Sequence, residues 1–313
     1  MKFIKPKFWD YKKPNLISYL LLPFTLPLII NNFFLGIKKR NISNLSIKKI
    51  CVGNIYVGGT GKTPLVIKIN QILSQFGSKT AIIKKFYKDH IDEQKLLNQN
   101  AKLYCFKDRL TGLNKAIQDD NDIVIFDDGL QDKSISYDLK FVCFNSLKWI
   151  GNGLLIPAGP LREKIESISK YDAVFINGND IDCTNLKQNI IKYNKNIKIF
   201  ESHYLPTNLN QLNNTKKYIT FSGIGNPETF KETLLKNKFN IIKEIIFPDH
   251  HNYSQTDIDN IKLQAKELNA EIITTEKDYI KLNFCKNNDI KFLKIEFKIK
   301  NEKELIDYLK LHL

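Results

Sequence analysis

A glycine-rich segment near residue 60 constrains the fold of this chain more than any other feature. Its residues are, in order, Gly58, Gly59, Thr60, Gly61, Lys62, Thr63 and Pro64. An apolar stretch at 50–52 precedes it, and a helical pattern of apolar residues follows from Leu65. A strand, a glycine turn and a helix in this order form a P-loop, in which backbone N–H groups converge on phosphate oxygens. We therefore predict a nucleotide site in which Lys62 reaches the β- and γ-phosphates and the Thr63 hydroxyl binds Mg²⁺.

The segment departs from the strict P-loop pattern at one position. Tyr56 stands where that pattern has its first glycine. An ordinary glycine turn beside a lysine is the alternative. We favour the phosphate site because a strand and a helix flank the turn in the required order.

Two adjacent aspartates, Asp127 and Asp128, follow an apolar run at 123–126. A buried parallel strand that ends in an acid is typical of a Walker B element. Adjacent carboxylates repel each other unless a cation or hydrogen bonds compensate them, and Mg²⁺ would do so. The alternative is a simple turn, which Asp-Asp-Gly favours. With Lys62 and Thr63 upstream, we predict a magnesium site.

Asp92 and Glu93 lie between a predicted strand at 79–83 and a helix predicted from Gln94. Open α/β sheets bind ligands at such strand-to-helix loops, where a carboxylate can accept a proton from an attacking hydroxyl. Acids are also common in the first turn of a helix, where they interact favourably with its dipole. The residues alone leave both interpretations open.

A long Gly/Pro-rich loop at 151–163 ends in Arg162 and Glu163, and loops of this length are usually functional. Arg162 can clamp a phosphate, with Glu163 holding it, or the two can form a surface contact. Apolar content falls and asparagine rises at 202–214, where we place a domain boundary. A second set of alternating strands and helices follows it.

Asp249, His250 and His251 form a strand-to-helix loop in this second set. They can be a metal site, an acid–base pair or a solvated loop, although a metal would need a third ligand that the sequence does not reveal. Thr275 and Asp278 have the spacing of a helix cap.

The amino-terminal segment is apolar and basic. Residues 14–37 contain no charge, and residues 1–50 carry ten basic side chains and one acid, Asp10. About 20 apolar residues can span a bilayer, but Pro23 and Pro27 would kink the helix, and no signal-peptide cleavage site follows. We favour a helix or a broken helical hairpin lying in the membrane interface, with lysines near anionic lipid. A buried helix on the catalytic domain and a membrane span are the alternatives.

Composition adds two expectations. The five cysteines are scattered without a C-x-x-C pair, which argues against zinc and disulfides and fits a reducing compartment. The net charge of +15 raises the possibility of nucleic-acid binding, but the basic residues cluster at one apolar end and no nucleic-acid module is recognised. We expect neither a nucleic-acid partner nor an obligate protein partner.

Taken together, these segments resemble the tetraacyldisaccharide 4′-kinase family of lipid A biosynthesis over nearly the whole chain. The segments that carry the resemblance are 52–54 with 58–64, 127–131, 151–163, 247–253 and 274–278.

The resemblance implies transfer of the γ-phosphate of ATP to the 4′-hydroxyl of a tetraacylated glucosamine disaccharide 1-phosphate, which gives lipid IVA. It places the enzyme at the cytoplasmic face of the bacterial inner membrane, as a peripheral or monotopic protein. It implies that Asp92 is the general base, assisted by a histidine that we assign as His250, and that the active site is a cleft between two domains. The other implied positions are Lys62 and Thr63 for the triphosphate and metal, Asp127 and Asp128 for Mg²⁺, and Glu93, Gln131, Arg162 and Glu163 for the substrate.

The chain differs from the family pattern at Lys85 and Phe86, where the family has Arg-Gly, and at Asp132, where it has histidine. The predicted fold is a P-loop NTPase-like α/β domain with a mostly parallel sheet, a smaller second α/β domain and the apolar amino-terminal helix. The predicted boundaries are 1–40, 41–205 and 206–313. A switch-type P-loop NTPase of the metallochaperone or protein-targeting class is the rival function.

Overall fold

A computed structural model describes residues 5–37, 47–88, 90–178, 182–282 and 288–313. The predicted domain boundary at residue 40 and Cys285 lie outside these residues. The strands are β1 (Lys48–Gly53), β2 (Thr80–Lys85), β3 (Leu103–Phe106), β4 (Ile123–Asp127), β5 (Leu139–Asn145), β6 (Ala173–Asn177), β7 (Lys198–Pro206), β8 (Lys217–Ser222), β9 (Asn240–Ile246), β10 (Glu271–Thr275), β11 (Ile290–Leu293) and β12 (Ile295–Ile299). The α-helices are α1 (Leu16–Leu20), α2 (Leu26–Ile37), α3 (Lys62–Gln75), α4 (Ile91–Asn100), α5 (Arg109–Gln118), α6 (Thr184–Tyr193), α7 (Pro227–Lys236), α8 (Gln255–Glu267), α9 (Glu276–Tyr279) and α10 (Glu302–His312).

The first sheet has eight strands in the order β12-β7-β6-β5-β1-β4-β2-β3. Its central strands are parallel and buried, because runs of Val, Ile and Phe are covered on both faces. Val52 is paired with Asp127, so the P-loop and the aspartates leave the same edge of the sheet. The P-loop-type α/β fold predicted from the sequence is confirmed.

The second sheet has four strands in the order β11-β10-β8-β9, with parallel pairs. Buried residues of β8 and β10 form its core together with the apolar face of α8. The second, smaller α/β set predicted after residue 206 is therefore present.

The chain divides into two compact units. Among the described residues, one comprises those of 89–96 and 204–298, and the other comprises those of 5–88, 97–203 and 299–313. These units differ from the predicted domains at three places. Residues 5–37, predicted to be part of a separate segment, belong with the first sheet. The start of α4 belongs with the second sheet, whereas α10 belongs with the first, where its Tyr308 packs against Phe141 and Phe200.

The structure corrects several predicted elements. Sequence analysis missed β3 and α5. The apolar run at 197–200 predicts a strand, and in the structure this strand extends to Pro206 as β7. The run at 292–297 predicts a single strand, but the structure has two there, β11 and β12. Helix α4 begins at Ile91 and not at Gln94, so Asp92 and Glu93 lie in its first turn and not in the preceding loop.

The amino-terminal segment is a broken helix. Helix α1, a 3₁₀ turn at Leu22–Thr25 and α2 follow one another, and Pro23 and Pro27 lie at the interruptions. Among the residues described, none of the helices combines the length and apolar character needed to cross a membrane.

Candidate active site

The backbone conformation of the P-loop depends on its glycines and on hydrogen bonds from one asparagine. Gly58 and Gly61 have φ angles of 133° and 89°, in a region that glycine occupies without strain. Gly61 lies at the start of α3, and the side-chain amide of Asn54 donates to the Thr60 hydroxyl at 3.1 Å and to the carbonyl of Gly58 at 3.3 Å. The loop is thus shaped by its own sequence, with backbone N–H groups at the start of a fourteen-residue helix.

Tyr56, at the position that departs from the strict pattern, is buried and has a structural role. Its hydroxyl accepts a hydrogen bond from Lys5 Nζ at 3.0 Å and donates one to Asp10. The side chain therefore links the residue before the P-loop to the amino-terminal segment, where a glycine would make no such contact.

Asp127 is fully buried at the end of β4. Lys84 Nζ, from β2, lies 2.6 Å from Asp127 Oδ2, and the Thr63 hydroxyl donates to the same oxygen at 3.4 Å. Asp127 Oδ1 is buried and has no hydrogen-bond partner within the part of the chain that the structure describes. A buried carboxylate oxygen without a partner is costly unless a ligand compensates it. Next to the Thr63 hydroxyl, this oxygen fits a bound cation.

Asp128 is held by two cations. Arg162 Nη1 lies 2.9 Å from Asp128 Oδ1 and 3.1 Å from Asp128 Oδ2. Lys62 Nζ lies 3.9 Å from Asp128 Oδ1. Burial alone would raise the pKa of the Asp128 carboxyl, but the charges of Lys62 and Arg162 outweigh it and lower the pKa to about 2. The P-loop lysine, the second aspartate and the arginine of the long loop therefore form one cluster.

Gln131 and Glu163 form a neighbouring network. The Gln131 amide donates to Glu163 Oε1 at 2.8 Å and to the carbonyl of Asn54 at 3.1 Å, and the Tyr171 hydroxyl donates to Glu163 Oε2 at 3.2 Å. Sequence analysis left open whether Glu163 holds Arg162 or the two form a surface contact, and in the structure the arginine pairs with Asp128. The amide and hydroxyl donors satisfy the buried Glu163 carboxylate without a cation.

The long loop is fastened to the amino-terminal segment. The indole N–H of Trp9 donates to the carbonyl of Pro157 at 3.0 Å, and the Asn152 amide donates to the Ser18 hydroxyl at 3.0 Å. From α2, the Asn32 amide donates to the carbonyl of Arg162 at 3.0 Å. The segment predicted to lie in the membrane therefore contacts the residue that pairs with Asp128.

The second cluster lies in the other unit and centres on Asp92. His250 Nδ1 lies 2.9 Å and 3.0 Å from the two oxygens of Asp92. Lys277 Nζ and Lys281 Nζ each lie 3.3 Å from Asp92 Oδ2. These groups outweigh the effect of burial and lower the pKa of the Asp92 carboxyl well below its usual range. The structure thus brings His250 to Asp92, while its neighbour His251 pairs with Asp257 at 3.1 Å.

His90, Glu93 and Asp249 surround the imidazole of His250. The His90 ring stacks on the His250 ring at 4.2 Å with an interplanar angle of 8°, and Glu93 Oε1 and Asp249 Oδ1 lie 3.6 Å and 3.8 Å from His250 Nε2. One side-chain atom from each of His90, Glu93 and His250 that could bind a metal lies within 4.8 Å of the other two. Two parallel rings cannot aim their in-plane lone pairs at one ion, so we assign no metal to this group.

Sequence reasoning missed three lysines and one arginine of these clusters. Lys277 was overlooked because Thr275 and Asp278 were interpreted as a helix cap, which the structure confirms. Lys84 is a charged residue inside a buried strand, and this exception to the apolar run could have been recognised in the sequence. Arg109, at the start of α5, donates to the carbonyl of Asp128 at 2.5 Å and pairs with Asp132 at 3.2 Å. Asp132, where the resembling family has histidine, therefore has a partner of its own.

Comparisons with known proteins agree with the motifs. The sequence profile of the family described as LpxK, tetraacyldisaccharide-1-P 4′-kinase, matches residues 20–313. The chain is 49% identical to the tetraacyldisaccharide 4′-kinase of Pelagibacter ubique over 99% of this chain and 98% of that protein. It is 38% identical to the enzyme of Rickettsia canadensis, over 96% and 95% of the two chains.

A solved structure shares the fold. The crystal structure of the "apo" form of LpxK from Aquifex aeolicus in complex with ATP superposes with a TM-score of 0.70 at 22% identity, over 95% of this chain and 100% of that one. The resemblance inferred from the motifs is confirmed, and the family match includes residues of both compact units. The chain belongs to the tetraacyldisaccharide 4′-kinase family.

Proposed function

We propose that this chain is an ATP-dependent lipid kinase that phosphorylates the 4′-hydroxyl of a tetraacylated glucosamine disaccharide 1-phosphate, the reaction for which its family is named. The observation that carries the proposal is the cluster of Lys62, Asp128 and Arg162 beside the P-loop. Phosphoryl transfer depends mainly on positioning the phosphates and neutralising their charge, which this cluster supplies. The rival, a switch-type NTPase, is not favoured because the family match spans residues 20–313.

The residues around the P-loop fit a magnesium ion. Thr63 and Asp127 would hold it, because the Thr63 hydroxyl lies beside a carboxylate whose Oδ1 is buried without a partner among the residues described. Asp128, also predicted as a ligand, would lie beside the ion, because both of its carboxylate oxygens accept hydrogen bonds from Arg162. Bound Mg²⁺ would neutralise charge on the β- and γ-phosphates. Lys62 would bind the same phosphates, with backbone N–H groups of residues 58–63.

Removal of the proton from the acceptor hydroxyl is assigned to Asp92 and His250. Both residues lie in the unit that contains the second sheet. Glu93, Gln131, Arg162 and Glu163 remain our candidates for contacts with the disaccharide and its phosphate.

The test is transfer of labelled γ-phosphate from ATP to a tetraacyl disaccharide 1-phosphate in detergent with Mg²⁺. We expect a labelled lipid product that Lys62→Ala and Asp92→Ala each abolish, with ATP binding weakened in the first variant and unchanged in the second. Release of phosphate without acceptor, and no lipid product, would refute the kinase and support the switch-type NTPase.

We also propose that the amino-terminal helices bind a membrane surface, on the cytoplasmic face of the inner membrane. Ser18 and Thr25 face the protein, since they are 0% and 5% exposed, whereas Leu20 and Phe24 are each 66% exposed. An ordinary surface helix has the opposite pattern, with apolar side chains buried and polar side chains exposed. Contiguous exposed apolar side chains mark interaction sites. The exposed fractions support the interfacial arrangement over a buried helix.

Co-sedimentation with anionic vesicles tests this surface. Leu20→Ser combined with Phe24→Ser should reduce the bound fraction several-fold, because each change removes apolar area from the lipid-facing side. Leu311→Ser is the matched control, since Leu311 is 80% exposed but lies at the end of α10. Equal binding of the double variant and the control would refute the proposal.

A further inference from the structure

Lys84 is a buried cation beside the proposed metal site. Strands β2 and β4 are parallel neighbours, and their register pairs Lys84 with Asp127 at the end of β4. The lysine side chain is 6% exposed, and its Nζ lies 2.6 Å from Asp127 Oδ2. Replacing a buried ion pair by apolar residues is often neutral or stabilising, so stability alone does not account for a lysine at this position. The pair therefore points to a role in the site.

The lysine determines which oxygen of Asp127 is available to a ligand. Asp127 Oδ2 lies against the ammonium group of Lys84 and accepts a hydrogen bond from the Thr63 hydroxyl at 3.4 Å. Asp127 Oδ1 is buried and has no hydrogen-bond partner among the residues that the structure describes. A cation that binds at Oδ1 would therefore meet a carboxylate whose negative charge the lysine already balances.

Asp128, the neighbouring aspartate, is balanced in the same way. Its carboxylate accepts hydrogen bonds from Arg162, and Lys62 Nζ lies 3.9 Å from its Oδ1. Lys62, Lys84 and Arg162 thus bring three positive charges to two aspartates. These charges disfavour a divalent cation, and the repulsion falls when an anion joins the group. The triphosphate of ATP, which Lys62 is proposed to bind, would be that anion.

Building on the proposed function, we infer that Lys84 makes metal binding depend on the nucleotide. It balances the charge of Asp127, so that Mg²⁺ binds poorly to the protein alone and binds together with the triphosphate, whose charge offsets the lysine. Lys84 is a positioning residue, since it acts through Asp127 and not by contact with the reacting atoms.

Calorimetry with Mg²⁺ alone, without nucleotide or lipid, tests the inference. Lys84→Met should bind Mg²⁺ at least about tenfold more tightly than wild type, because the repulsion of one positive charge is removed while Asp127 keeps its own charge. A purely structural role of the lysine predicts no such gain, since a disordered site binds a metal less well. Equal or weaker binding in the variant would overturn the inference.

Two further variants separate the effect of charge from that of folding. Lys84→Gln retains a hydrogen-bond donor for the Asp127 carboxylate but has no charge, so it should also bind Mg²⁺ more tightly, and it replaces Lys84→Met if that variant does not fold. Lys68→Met is the matched control, because the Lys68 side chain is 14% exposed and pairs with Glu302 at 2.8 Å. Its affinity for Mg²⁺ should equal that of wild type, and a gain as large as that of Lys84→Met would overturn the inference.

The urea midpoint of unfolding at constant ionic strength gives a second readout. Mg²⁺ alone should raise the midpoint of Lys84→Gln and leave that of wild type unchanged, because a ligand stabilises the folded state only where it binds. An equal increase in wild type would overturn the inference. These measurements contain no lipid acceptor, so their result stands whether or not the protein phosphorylates the lipid. Failure to phosphorylate the lipid would refute the proposed function alone.

Discussion

The buried pair of Lys84 and Asp127 allows a quantitative prediction. The Lys84 side chain is 6% exposed, the Asp127 side chain is 0% exposed, and Nζ and Oδ2 lie 2.6 Å apart. Lys84→Met removes the charge, keeps the length of the side chain and leaves a buried carboxylate uncompensated. Breaking such a pair costs about 3 to 5 kcal/mol. With a slope of about 2 kcal/mol per molar urea, the unfolding midpoint of the first-sheet unit should fall by about 1.5 to 2.5 M.

The measurement is urea unfolding followed by a probe in the first-sheet unit, without nucleotide. Lys85→Met is the matched control, because Lys85 follows directly on the same strand but is only partly buried, and its midpoint should barely change. Adding Asp127→Asn to Lys84→Met should recover much of the loss, since the unpaired charge is then absent. Mg²⁺ with ATP should also bring the unfolding midpoint of Lys84→Met closer to that of the wild type, because a cation bound at Asp127 would replace the lost charge. A loss below about 1 kcal/mol, or no recovery in the double variant, would refute the reasoning.

Two further predictions concern Lys62 and Asp128. Lys62→Ala should weaken ATP binding about 10- to 100-fold, because hydrogen bonds to charged groups contribute about 1.5 to 3 kcal/mol. Calorimetry measures this affinity, and Lys68→Ala on the same helix is the control that should leave it unchanged. Because the folded-state pKa of Asp128 is lowered to about 2 from 3.8, its charge stabilises the fold above pH 4, and this stabilisation is lost as the pH falls through 2. The difference in urea midpoint between wild type and Asp128→Asn should therefore shrink from pH 5 to pH 2, and a difference independent of pH would contradict the assigned pairing.

Much of the fold was predictable because its signals are local. The P-loop requires glycines at turn positions, and Asp127 ends a buried apolar run, so each was recognisable from a few neighbouring residues. Parallel strands end at one edge of a sheet, so Thr63 and Asp127 could be predicted to lie together. Strand β3 was missed because it is only four residues long, and helix α5 was missed because only four of its ten residues are apolar.

The nucleotide-binding fold, the family and, through the resemblance, the pairing of His250 with Asp92 could be predicted from the sequence. Which cation each aspartate pairs with depends on the tertiary structure, which places Lys84 on Asp127, Arg162 on Asp128, and Lys277 and Lys281 on Asp92. The reason is that the chain holds 48 lysines and arginines whose sequence contexts are alike. A partner separated by 43 residues, as Lys84 is from Asp127, is selected by the packing of strands and helices and not by local pattern.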